Sequence, residues 1–354
     1  MNEIIATSYS VDFNQNGFHK LEKIFERNNY SSAFVLVDSN TEKYCLPIFK
    51  NILSKSIIFV SITINPGEEF KTIDSCQKIW QILSDKGADR KSLLINLGGG
   101  VITDMGGFIA STFKRGINFV NIPTTLLSMV DASVGGKTGI DFGGIKNQIG
   151  IITDPKLVVI DPQFLKTLPE KEFKSGYSEM LKHGLICDKD YWTSLSDYQN
   201  STKDILTLIY KSIKIKNKIV LKDPFENNQR KILNFGHTIG HAIESYFIEA
   251  SHLKKLTHGE AIAIGMVIEA SISVDKCSLL QSEADEIKHV FKSLFSKVQI
   301  NESDQEKITS LLRFDKKNSH GNINFVLLNS IGKTSIDQKV SSEQIMNGFN
   351  YYNS

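Results

Sequence analysis

The first half of the chain alternates short apolar runs with helix-period segments, and this alternation constrains the fold more than any other feature. Residues 33–37, 57–64, 92–96, 119–122 and 157–160 read as buried strands. Helical patterns lie between several of them, at residues 18–27, 41–53, 73–86 and 103–114. Strand-helix-strand order of this kind predicts an α/β domain built on a parallel sheet, because parallel neighbours require a long crossover. Ligands of such sheets bind outside the carboxyl ends of the strands. Those ends carry Asp38-Ser39-Asn40, Pro66-Gly67-Glu68, Gly98-Gly99-Gly100, Pro123-Thr124-Thr125 and Asp161-Pro162, which are turn formers and polar groups suited to a cofactor.

After about Leu168 apolar residues recur at helical spacing and only residues 323–328 read as extended. A chain of 354 residues exceeds one typical core, so the reading is two domains, 1–168 α/β and 169–354 mostly helical. The 41 basic and 39 acidic residues are interspersed, which predicts no nucleic-acid partner and no membrane surface while leaving small anions compatible. Cys45, Cys76, Cys187 and Cys277 form no CxxC pair, against a disulfide framework or a thiolate zinc site. The N-terminus shows no secretory pattern and no apolar window approaches membrane length, so a soluble, cytoplasmic protein is expected.

Gly98 to Asp104 follows a strand and opens a helix. Its glycines and free N–H groups suit a pyrophosphate, although the segment is not GxGxxG and a simple tight turn gives the same pattern. Ser133-Val134-Gly135-Gly136-Lys137-Thr138 resembles the end of a P-loop but lacks its first glycine, which leaves Lys137 as an anion contact. His237 and His241 sit four apart on one helix face, either as a metal-binding pair or as two histidines satisfied by neighbours. His258 and Glu179 can complete a three-ligand site. On the helix-period segment 205–222, Lys216 falls within the stripe of Ile205, Ile209, Ile213 and Val220 while Lys211, Lys214, Lys218 and Lys222 face away. Lys216 therefore either snorkels or meets an anion. With Arg115, Lys146, Lys182, Arg230, Lys316 and Lys317 it makes a set that suits a phosphate and a carboxylate.

Together the segments GGGVITDMGGF, RGINFVNIPTTLLSMVDASVGGKTGID, KNQIG, SGYSEMLKHG, RKILNFGHTIGHAIES and HGEAIAIGM resemble those of the 3-dehydroquinate synthases, in order and from about Asp38 to Gly332. The resemblance implies a Rossmann-like parallel-sheet domain followed by a mostly α-helical one. It implies zinc, or cobalt in its place, on Glu179, His237 and His258. NAD contacts are implied at Asp38, Asn40, Glu68, Lys71, Gly99, Gly100, Val101, Ile102, Thr103, Asp104, Thr124, Thr125, Lys137, Lys146, Phe164, Leu165, Lys166 and Thr167. A sugar acid phosphate is implied to meet Asp131, Lys137, Asn147, Lys182, Lys216, Arg230, Asn234, His241 and the segment Asp315-Lys316-Lys317. Arg115 is implied to reach a neighbouring subunit's phosphate site in a homodimer.

The implied reaction converts 3-deoxy-D-arabino-heptulosonate 7-phosphate to 3-dehydroquinate by transient oxidation, loss of phosphate, re-reduction, ring opening and aldol closure. Related alternatives are another sugar phosphate cyclase, such as a 2-deoxy-scyllo-inosose synthase, or a metal-dependent polyol dehydrogenase. Thr103 stands where the family usually has glycine, Pro224 where it has glutamate and Asn228 where it has glycine; Asp141 and Gly143 replace Asn and Pro.

Overall fold

The computed structural model describes residues 1–53, 57–143, 145–250, 253–312 and 323–354. Two compact units result, Met1–Pro169 and Glu170–Ser354. The first runs β1 (Ile4–Ile5), β2 (Ser10–Phe13), α1 (Asn14–Asn28), β3 (Ser32–Asp38), α2 (Ser39–Tyr44), α3 (Leu46–Ile52), β4 (Phe59–Ile64), α4 (Ile73–Asp85), β5 (Ser92–Gly98), α5 (Gly100–Thr112), β6 (Asn118–Pro123), β7 (Lys137–Phe142), β8 (Ile145–Ile152) and β9 (Val158–Ile160). The second runs α6 (Glu170–Cys187), α7 (Lys189–Leu195), α8 (Tyr198–Ser201), α9 (Ile205–Lys222), α10 (His237–Glu249), α11 (His258–Lys276), α12 (Gln281–Leu294), α13 (Glu302–Leu311), β10 (Asn324–Ser330), β11 (Lys333–Lys339) and α14 (Ser342–Asn353).

The main sheet has the order β1-β2-β9-β6-β5-β3-β4. All its pairings are parallel except β1 with β2. The central strand β5 is buried along its whole length, as a strand covered on both faces must be, and this is why it reads as an unbroken apolar run. From β3 the chain steps outward to β4 and returns on the other side of β3 as β5. That reversal places a crevice at the carboxyl ends of β3 and β5, which end on Asp38 and Gly98. Helix α5 packs beneath it, with Ile102, Met105, Phe108 and Ile109 in the core cluster with Leu36, Leu94 and Phe119.

The observed elements differ from the sequence expectation in five places. Strands β1 and β2 precede the first expected strand at 33–37. The expected buried strand 57–64 is β4, which lies at the sheet edge with Val60, Ser61 and Thr63 exposed, since an edge strand lacks a neighbour on one side. The expected helix 41–53 is two helices that meet at Cys45, because Pro47 is tolerated in a first turn but not in a helix interior. Lys137–Phe142 and Ile145–Ile152, which begin at the end of the 133–138 glycine motif and carry no expected strand, pair antiparallel as β7 and β8. The second unit holds a second extended strand, β11, paired with β10 beyond the expected 323–328.

In the second unit α11 is the central element, packed by α6, α10, α12 and α14. Its apolar residues are buried around most of the helix, so its sequence shows no amphipathic stripe. Gly265 sets its approach to α10, since a Cβ there would lie 2.1 Å from the Gly236 carbonyl oxygen. Gly236 caps α10 with φ of 78°, a left-handed conformation that costs glycine little. Among the described residues, no helix is long and apolar enough to cross a membrane.

Candidate functional site

In the second unit three helices bring a carboxylate and three imidazoles together. Glu179 comes from the buried face of α6, His237 and His241 from the first turns of α10, and His258 from the first position of α11. The Oε1 atom of Glu179 lies 3.6 Å from His237 Nε2 and 3.7 Å from His258 Nε2. One ligand atom from each of the three residues falls within 4.8 Å of the others. A tetrahedral ion with bonds of about 2.0–2.1 Å sets its ligand atoms about 3.3 Å apart, and the two Glu179–imidazole distances exceed that spacing by only a few tenths of an ångström.

The far sides of both rings are held. His237 Nδ1 is 3.1 Å from the Phe235 carbonyl oxygen, which can only accept, so Nδ1 is the donor in that contact and Nε2 is the ring nitrogen that faces Glu179. His258 Nδ1 lies 3.4 Å from Oε2 of the buried Glu244. Burial opposes protonation of His258, but the carboxylates of Glu244 and Glu179 outweigh it and push its pKa up to about 9. The His241 ring centroid lies 5.1 Å from that of His237 and 5.9 Å from that of His258.

Buried cations belong to the same unit. Lys182 is 1 % exposed and pairs with Glu179 one turn away on α6. Lys216 is 5 % exposed on α9, among buried Ile209, Ile213 and Val220, whereas Lys211, Lys214, Lys218 and Lys222 are exposed. Arg230 is held by a folded turn. The Asp223 carboxylate accepts from the backbone N–H groups of Asn227, Asn228 and Arg230 at 3.0, 2.7 and 3.0 Å, and Arg230 Nη1 donates to the Pro224 carbonyl at 2.6 Å. These backbone donors overcome the effect of burial and lower the Asp223 pKa. Asn234 Nδ2 donates to Glu226 at 2.7 Å. Asp315, Lys316 and Lys317 lie outside the described residues.

The first unit gathers the residues read as nucleotide contacts. Asp38 closes a capping box with Thr41 at the start of α2, which leaves Asn40 exposed. Helix α5 begins at Gly99 with no side-chain cap and no acidic residue in its first turn, so its N–H groups and positive end are available to an anion. Thr103 points its hydroxyl at Ser128 Oγ, 3.2 Å away, and at the Gly100 carbonyl; the extra side chain faces inward. The Thr124 N–H donates to the Gly98 carbonyl at 3.0 Å, and the Thr125 hydroxyl accepts from Ser128 N–H at 3.1 Å. Lys71, 2 % exposed, donates to Asp104 at 2.7 Å and to Asn147 Oδ1 at 2.6 Å.

Burial works against the Lys71 charge, yet Asp104 and Glu68 hold its pKa above the ordinary value; burial holds the Asp104 carboxyl above its own range despite Lys71. Lys146 sits 3.8 Å from Glu68, and Asp141 accepts from the Asn147 N–H at 2.7 Å. Val101 and Ile102 belong to the first turn of α5, and Asp131 to a π-helical turn after Thr125. Phe164, Leu165, Lys166 and Thr167 form a 3-10 turn after β9 in which Phe164 is buried. Lys137 is exposed at the start of β7, and Arg115 is exposed in a turn with φ of 68°.

Residues 61–175 match the 3-dehydroquinate synthase N-terminal family model and residues 176–318 match the C-terminal one. A 3-dehydroquinate synthase of Parabacteroides distasonis is 40% identical over 338 residues, covering 94% of each chain. The chain belongs to the 3-dehydroquinate synthase family. Among solved structures, a 2-deoxy-scyllo-inosose synthase complexed with carbaglucose-6-phosphate, NAD+ and Co2+ superposes with a TM-score of 0.85 at 24% identity, covering 98% of this chain and 99% of that one. A 2-epi-5-epi-valiolone synthase from Streptomyces hygroscopicus with NAD+ and Zn2+ bound gives 0.84 at 22% identity, covering 99% and 98%. At these identities the likeness establishes the fold of this 3-dehydroquinate synthase family member, a Rossmann-like parallel-sheet domain followed by a mostly helical one.

The sequence reading missed four supporting residues of this family member. Glu244 backs His258, Asp223 folds the turn around Arg230, Glu226 meets Asn234, and Glu269 accepts from the N–H groups of Gly236 and Ile239. Glu244 has a sequence signal, since it lies seven residues after His237 on the same helix face. Glu269 has one as well, as a lone carboxylate in the apolar interior of α11.

Proposed function

We propose that this protein is an NAD- and zinc-dependent 3-dehydroquinate synthase that converts 3-deoxy-D-arabino-heptulosonate 7-phosphate to 3-dehydroquinate and phosphate. The observation that carries the reading is the convergence of Glu179 with the Nε2 atoms of His237 and His258, in a member of this family. These three residues hold the ion, with cobalt an acceptable substitute. NAD is assigned to residues 1–168, and the metal and most substrate contacts to residues 169–354. When bound, the dinucleotide and the ion together supply reversible oxidation of one substrate carbinol carbon.

The remaining work falls to the chain. His237 enters with its proton fixed on Nδ1, so Nε2 binds without a change of tautomer. The uncapped start of α5 and the Asp38 turn position the nucleotide's anionic and ribose groups. Lys182, Lys216 and Arg230, nearly buried, hold the phosphate and carboxylate, and Asn234 and His241 add hydrogen-bond partners for substrate hydroxyls. Asp131, Lys137, Asn147, Lys316 and Lys317 complete the proposed substrate set. Arg115, exposed on its turn, is assigned to a neighbouring copy's phosphate site in a homodimer, and the protein to the cytoplasm.

The second reading, another sugar phosphate cyclase, is favoured by the 0.85 TM-score to a 2-deoxy-scyllo-inosose synthase. A two-substrate assay separates them. Turnover of the heptulosonate phosphate and not of glucose 6-phosphate supports the synthase; the reverse preference refutes it.

A further inference from the structure

Both proposed metal-ligating histidines open a helix, which is an adverse place for a cation. The free N–H groups of a helix start carry a partial positive charge and favour anions. His237 is the first residue of α10 and His258 the first of α11. At each start a carboxylate lies on those donors. Glu260 accepts from the Thr257 N–H at 2.7 Å and from its hydroxyl at 2.8 Å, within the capping box of α11.

Helix α10 has no side-chain cap from its own N-cap residue, which is Gly236. Its carboxylate comes instead from the neighbouring helix. Glu269 Oε2 accepts from the Gly236 N–H at 2.6 Å and Oε1 accepts from the Ile239 N–H at 3.2 Å. Glu269 is 0 % exposed, among the buried Met266, Ile268 and Ala270 of α11. A carboxylate is costly to bury, and with both oxygens accepting from backbone donors the ionised form is the one these contacts favour. The contact is reachable because Gly265, one turn earlier, has no Cβ to hold the start of α10 away.

We propose that Glu269 is a positioning residue for the metal site. Its carboxylate fixes the first turn of α10 and offsets the positive end of that helix, which raises the affinity of His237 for a divalent cation. The proposal rests on Glu179, His237 and His258 being the ligands. Glu269 is not one of the proposed ligands; it acts through the helix that carries His237. A cap with a purely structural role changes folding stability and leaves metal affinity alone, so affinity is the discriminating quantity.

Zn2+ alone is titrated into metal-stripped full-length protein in competition with a chromophoric chelator. The wild type is compared with Glu269→Gln, which keeps size and removes charge. Thr72→Ala serves as the control, because Thr72 caps α4 in the other unit by accepting from the Ser75 N–H at 3.3 Å. The expected result is a Kd for Zn2+ raised about three- to thirtyfold in Glu269→Gln and unchanged in Thr72→Ala. An unchanged Kd in Glu269→Gln overturns the proposal. If Glu269→Gln does not fold, Glu269→Met, apolar and similar in length, carries the same expectation and the same refuting outcome. Wild-type protein that binds no Zn2+, or a His237→Ala variant that binds it equally well, overturns the ligand assignment and this proposal with it.

Discussion

Gly265→Ala tests whether the contact between α10 and α11 sets the metal site. The added Cβ would lie 2.1 Å from the Gly236 carbonyl oxygen and 2.7 Å from the Gly240 nitrogen. Both are backbone atoms, so no side-chain rotation relieves the clash, and the helices must part by roughly 1 Å to regain ordinary contact. Metal sites hold their bond lengths within about 0.2 Å, so a displacement of that size takes His237 Nε2 off its bond to the ion. Overpacking of this kind costs about 1–3 kcal/mol in a packed core. The expectation is a fall in Zn2+ affinity of about tenfold or more, together with that loss of stability. Chelator competition reads the first and denaturant unfolding of the metal-free protein reads the second. A variant that loses stability but binds Zn2+ like wild type refutes the reasoning, since α10 would then have recoiled without moving His237.

The His258 pKa, about 9 in the metal-free fold against 6.5 for the ordinary imidazole, contributes stability that is fully present below 6.5 and is lost as pH rises through 9. The same shift makes Zn2+ binding at neutral pH release about one proton from this ring; calorimetry in buffers of different ionisation enthalpy counts it, and a count of zero contradicts the assignment. Lys71→Met strands the Asp104 carboxylate and should cost about 3–5 kcal/mol, most of which Lys71→Met with Asp104→Asn should recover. Simple additivity of the two changes in urea unfolding counts against their coupling. Asp223→Ala removes the acceptor of three backbone N–H groups and should cost about 1–3 kcal/mol. Because that turn carries Arg230, steady-state kinetics should show KM for the sugar phosphate rising more than kcat falls; a pure kcat effect refutes this.

Much of the site is legible in the sequence because its residues break a local pattern. Lys216 is visible as a charge within an apolar stripe, and it is buried as that position requires. Glu269 is the same kind of break, a lone carboxylate in an apolar run, but α11 is apolar around most of its surface and offers no stripe to show which neighbour the charge faces. The buried parallel strands are legible because burial on both faces makes them continuous apolar runs. The β7–β8 hairpin is hidden for the opposite reason. Its glycines and exposed isoleucines, Ile145, Ile149, Ile151 and Ile152, follow no one-face alternation. Contacts such as Asp223 with Arg230 depend on a turn whose course periodicity does not encode.

The central claim is a redox cycle that closes on itself within a phosphate-releasing reaction. The direct measurement mixes zinc-loaded protein with 3-deoxy-D-arabino-heptulosonate 7-phosphate and a trace of NAD, and follows phosphate, 3-dehydroquinate and NADH absorbance together. The account predicts phosphate and 3-dehydroquinate in equal amounts, far exceeding the NAD supplied, with no net accumulation of NADH. Build-up of NADH in step with substrate consumption, or no phosphate release from fully metallated protein, contradicts it.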